Sequence, residues 1–81
     1  MSTPPSAARV ASVLEMIMTH LERHPTAADS IAGIRDVWLG GHATGAEVSA
    51  ALEELLDAGR IAARLLPDGS FLFGRASDEK R

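Results

Sequence analysis

Val48-Ser49-Ala50-Ala51-Leu52-Glu53-Glu54-Leu55-Leu56-Asp57-Ala58-Gly59-Arg60-Ile61 contains a helix, its stop and the first residues of a strand. Val48, Ala51, Leu52 and Leu55, with Leu56 beside them, recur at helical spacing and predict one buried stripe. Ala58-Gly59 ends it, because glycine takes a left-handed C-terminal position at little steric cost. From Arg60 the period becomes two, with Ile61, Ala63 and Leu65 alternating against Ala62, Arg64 and Leu66. Pro67-Asp68-Gly69 then makes a turn: proline presets φ, Asp68 bonds locally, and Gly69 takes positive φ. Ser70-Phe71-Leu72-Phe73-Gly74-Arg75 returns as the second strand of an antiparallel hairpin. With Leu66 opposite Ser70, Leu65 faces Phe71 and Ala63 faces Phe73. Both phenylalanines read as packing, and Leu66 and Leu72 fall on the hairpin's outer side.

Upstream, Thr44-Gly45-Ala46-Glu47 is a capping box, a threonine at the N-cap answered by a glutamate three residues on. Before it, Ile31, Ile34 and Trp38, with Leu39 beside them, form the inward stripe of a second helix that Gly40-Gly41 stops; Trp38 reads as core. Thr26-Ala27-Ala28-Asp29 reads as its capping box, with Thr26 at the N-cap. A first helix begins at Ala7, where Val10, Val13, Leu14, Ile17, Met18 and Leu21 share a face. Met16 is its one apolar residue on the wet side. Pro25 ends the helix by disfavouring helical geometry at His24. Residues 1–6 and 76–81 read as a disordered lead-in and a charged tail around a single domain at 7–75.

The 81 residues carry no cysteine, which excludes disulfides, thiolate metal sites and a cysteine nucleophile. No apolar run approaches the ~20 residues of a membrane span, and the N-terminus lacks a signal-peptide core, so a cytoplasmic location is expected. Eight basic residues against eleven acidic ones give a net charge of −3, a balance that does not favour non-specific attraction to DNA or anionic membranes. Seven of the eight basic residues are arginine and fourteen residues are alanine, a GC-rich coding habit and not a functional sign.

Helix, helix, helix, hairpin is the order of the winged helix-turn-helix. Ile31 to Leu39, then Val48, Ala51, Leu52, Glu54, Leu55, Gly59 and Ile61 running into a Pro67-Asp68-Gly69 tip, resemble many small bacterial winged-helix modules. The likeness covers Val10 to Arg75. It implies an α+β fold: a three-helix bundle with a helix-turn-helix, followed by a two-stranded antiparallel wing. One departure is the first strand usual between the first two helices, confined here to His24–Thr26 and weakened by Pro25. In DNA-reading relatives the third helix enters the major groove and the wing touches the backbone or minor groove.

The exposed positions expected on the third helix are Ala46, Ala50, Glu53, Glu54 and Asp57, with Ser49 at the edge. They offer no side chain suited to a purine edge, and three are carboxylates. Arg60, Arg64 and Arg75 on the wing could position a duplex by phosphate contacts without reading it. The residues therefore favour a protein-interaction or regulatory adaptor that presents its acidic third helix and wing to a basic protein partner, as monomer or homodimer. A DNA-binding transcriptional regulator using the third helix and the arginine-bearing wing is the alternative. Catalysis is not expected: Glu53-Glu54 are adjacent and do not face one another, and Gly40 to Gly45 lacks the spacing and lysine of a phosphate loop. His20 and His24, four apart, have the bite for a divalent metal but no third ligand, and the sequence lacks the glutamate of a zinc-protease motif. They read as helix-end histidines with neither metal nor cofactor; a metal-responsive switch would show as a zinc-dependent melting shift.

Overall fold

In a computed structural model the described residues are 6–76; the lead-in at 1–5 and the tail at 77–81 lie outside them. The chain is α+β, three helical segments and a three-stranded antiparallel sheet in which Phe71–Arg75 is the central strand, between Ala28–Asp29 and Ile61–Leu65. Helix α1 spans Ala7–Arg23. Ser6, read as part of the lead-in, is its N-cap: the Ser6 hydroxyl accepts from the Arg9 amide at 3.2 Å. Val10, Val13, Ile17 and Leu21 are buried along one stripe, and Leu14 and Met18 pack beside them. The helix ends at His24, whose amide donates to the His20 carbonyl at 2.9 Å.

The next turn departs from expectation. Thr26 does not cap a helix; it lies in a turn closed by the Ala27 amide on the His24 carbonyl at 2.9 Å, the chain then runs through a short strand β1, Ala28–Asp29, and α2 (Ile31–Gly33) follows its N-cap, Ser30. The Ser30 hydroxyl accepts from the Gly33 amide at 3.2 Å, and the Asp29 carboxylate accepts from the Ser30 amide at 2.8 Å. Serine is the somewhat better cap, but both residues are competent. What decides is that Ala28 and Asp29 pair with Gly74 and Phe73 of the hairpin. The sheet thus has three strands where the sequence predicted a two-stranded wing, and the first lies at Ala28–Asp29, beyond the His24–Thr26 stretch to which the sequence confined it.

Helix α2 passes directly into a π-helical segment, Ile34–Trp38, closed by the Leu39 amide donating to the Ile34 carbonyl at 3.0 Å. A five-residue turn shifts the inward position by one. Leu39, not Trp38, follows Ile34 into the core; both Ile34 and Leu39 are buried. Trp38 is only half-buried and stacks on His20, ring centroids 4.4 Å apart.

Helix α3, Gly45–Asp57, starts at the expected capping box: the Thr44 hydroxyl accepts from the Glu47 amide at 3.1 Å, and the Glu47 carboxylate accepts from the Thr44 amide at 3.0 Å. It buries Val48, Ala51, Leu52 and Leu55 against α1. Its end is a Schellman turn, with the Gly59 amide on the Leu56 carbonyl and the Arg60 amide on the Leu55 carbonyl, and Gly59 at φ +73°. Strands β2 (Ile61–Leu65) and β3 (Phe71–Arg75) pair in the expected register, Ala63 with Phe73 and Leu65 with Phe71. At the tip the Asp68 carboxylate accepts from both the amide and the hydroxyl of Ser70. Among the described residues the core is apolar, without a buried polar or charged side chain.

Candidate functional site

The stripe Ala46, Ala50, Glu53, Asp57 advances by four, three and four residues, so it runs along one face of α3. Ala46, Glu53, Glu54 and Asp57 are exposed and Ser49 is half-buried. Ala50, expected on the outer face, is half-buried and packs against the core. The face therefore divides into a shallow small-residue end and an acidic end. Glu53, Glu54 and Asp57 all fall in the last turn and a half of the helix, where the backbone carbonyls already place partial negative charge. That last turn contains no basic residue. None of the three carboxylates is ion-paired among the described residues.

The other end of α3 is built differently. Arg9 of α1 reaches Glu47 with Nε and Nη2, both at 3.2 Å, and Nη2 also donates to the His42 carbonyl at 3.0 Å. This bidentate contact, with the Thr44 amide also on the carboxylate, holds Glu47 below the usual glutamate range. A negative charge near the helix N-terminus is favourable. Arg35 likewise spends its guanidinium on Asp36 at 2.9 Å. Two arginines outside the hairpin are thus committed to structure.

The three arginines predicted for the wing are all exposed, and none makes an ion pair among the described residues. Arg60 and Arg75 lie at the base of the hairpin, where the Ala76 amide donates to the Arg60 carbonyl at 3.2 Å. Arg64 lies further out, opposite Leu72. Arg64 and Arg75 line one groove of about 450 Å³ between the sheet and the Pro25–Ala28 turn, with no carboxylate among its lining residues.

The apolar surface of the hairpin is arranged opposite to expectation. Leu66 and Leu72 are half-buried, whereas Leu65 and Phe71 are 62% and 47% exposed. Only the base of that face reaches the core, through Ile61 and Phe73. The last cross-strand pair, Leu65 and Phe71, lies beyond the part of the hairpin that the core covers. Alternation correctly puts Leu65 and Phe71 on the core side of the sheet, but cannot say how far the core extends.

A second groove, of about 680 Å³, follows the outer side of α1 and includes Met16, Thr19, His20, Arg23 and His24, with Trp38 forming part of its wall. Partial burial pushes the His20 imidazole below its ordinary pKa, and neighbouring His24 adds to this. The spacing of the two histidines was legible; the Trp38 stack was not, because it depends on the π-turn. Among the described residues no group of three or more His, Asp or Glu side chains is arranged to hold a metal, and no helix is long and apolar enough to cross a membrane. Comparison with family models, curated proteins and solved structures gives no significant match.

Proposed function

We propose that this chain is a winged-helix module that binds a protein partner with a basic surface, using the acidic face of α3 together with the hairpin as its wing, and acts as a regulatory adaptor without catalysis. The observation that carries the reading is the placement of Glu53, Glu54 and Asp57. Three carboxylates, unpaired among the described residues, stand at the negative end of a helix with no cation in its last turn. Such an arrangement opposes the helix dipole and is not explained by folding; local rules are broken most often where a surface has another task. A basic partner would relieve the repulsion on binding. The exposed Leu65–Phe71 pair supplies apolar area of the kind found at interface centres.

The test is affinity capture with charge-reversed variants. Wild type should retain a specific partner, and Glu53→Lys and Asp57→Lys should lose it while keeping a native circular dichroism spectrum and a cooperative melt. Retention of the same partner by both variants would contradict the assignment.

A second reading, DNA binding through the wing, is favoured by one feature: Arg64 and Arg75 share a groove whose lining has no acid to occupy them. Under that reading, Arg64→Ala and Arg75→Ala weaken duplex binding equally across sequences, and each lowers the salt slope by about one.

A further inference from the structure

The histidine pair at the end of α1 is used neither by the core nor by the proposed partner surface. His20 and His24 stand one helical turn apart with ring centroids separated by 4.7 Å and planes tilted by 40°. One face of the His20 ring is covered by Trp38, at 4.4 Å and 14° from parallel. Folding therefore already restricts the first of the two rings, and that ordering need not be repeated on binding. Both rings open into the groove along α1. Arg9, Glu15 and Arg23 line the same groove; Arg9 is held by Glu47, so Glu15 and Arg23 offset one another and no net charge repels a cation. We propose that His20 and His24 form a two-imidazole chelating site for a divalent late transition cation, of the class Cu²⁺, Ni²⁺ and Zn²⁺, with its remaining coordination positions open to solvent.

The chemistry follows from the donors. Neutral imidazole suits copper, nickel and zinc, and Mg²⁺ or Ca²⁺ would need oxygen ligands that two histidines do not supply. The Irving–Williams order makes Cu²⁺ the tightest of the three. Two histidines fall short of the three or four protein ligands of resident zinc sites, so the site is an open chelate whose coordination solvent completes.

Trp38 is the chain's one tryptophan, and its ring lies against His20, so Cu²⁺ on that imidazole should quench its fluorescence. Titrating Cu²⁺ into the full chain at pH 7.5 should quench Trp38 saturably, and Mg²⁺ should not. His24→Ala leaves the His20–Trp38 stack in place. It should raise the half-quenching concentration about tenfold or more, since losing even an outer-sphere partner of a metal site costs that much. His42→Ala, which removes a ring that does not line the groove and keeps the backbone carbonyl that Arg9 holds, should titrate like wild type. His24→Ala titrating like wild type, or His42→Ala weakened equally, would overturn the site. In the unmutated chain, Zn²⁺ should move the ring NMR signals of His20 and His24 and leave those of His42 in place; movement of all three, or of none, would overturn it as well.

Discussion

Gly74 determines how closely β1 can approach β3. A Cβ at this position would lie 2.8 Å from the Ala27 carbonyl oxygen and 3.3 Å from the Ala28 Cβ, and the first of these is backbone that cannot swing aside. Gly74→Ala should therefore cost about 1–3 kcal/mol in denaturant unfolding, within the range of strain-inducing substitutions. It should also speed amide exchange in the pairing Ala28 and Asp29 before the β2–β3 ladder is affected. Glu47 makes a prediction of a different kind. Its carboxyl lies below the ordinary value of 4.5, first through the Arg9 hydrogen bonds and then through the Thr44 amide. A carboxylate whose pKa is depressed by folding contributes stability that is present above its unfolded value and lost as pH falls through its folded value. The melting temperature should accordingly decline below about pH 4.5, and Glu47→Gln should flatten part of that decline. Asp36, held down by Arg35, and Asp68, held down by Ser70, titrate with the same sign and add to it.

At the scale of elements, the π-turn after α2 is the feature with the sharpest consequences. It puts Leu39 in the core, leaves Val37 72% exposed and turns Trp38 onto His20. Leu39→Ala should cost about 2–5 kcal/mol, as for a buried leucine. Val37→Lys should stay within about 0.5 kcal/mol of wild type. Equal costs at the two positions would mean a regular α-helix there. The sequence made α1, α3 and the hairpin legible for a physical reason: in each, periodicity, a capping signal and a stop signal agree. The Thr44–Glu47 box and the Leu65–Phe71 register appear where the residues place them. Helix α2 lacked that agreement. Thr26 and Ser30 are both competent caps, and the choice between them is made by strand pairing with residues more than forty positions away. Neither that pairing nor the extra residue in the π-turn leaves a mark in the local pattern.

For the whole molecule, the division of charge matters more than its net value of −3. Arg9 and Arg35 are tied to carboxylates, while Arg60, Arg64 and Arg75 are unpaired among the described residues, as are Glu53, Glu54 and Asp57. The acidic face of α3 was legible from helical spacing alone; the solvent exposure of Leu65 and Phe71 was not, since it depends on how far the core extends. If the α3 carboxylates serve a partner at the expense of the fold, neutralising them should stabilise the isolated chain. Asp57→Asn and Glu54→Gln should each raise stability by about 0.3–1 kcal/mol at low ionic strength, the range of helix-dipole effects, and less in high salt. Thermal melts at two salt concentrations would check this; a lowered melting temperature in both variants would mean that the acids serve the fold. The most direct test of what the surface binds is a backbone-amide NMR titration with a random-sequence DNA duplex at low salt. The account predicts no shifts on α3 or the hairpin even at millimolar duplex. Shifts clustered on residues 45–50 and 60–75 that vanish as salt rises would contradict it.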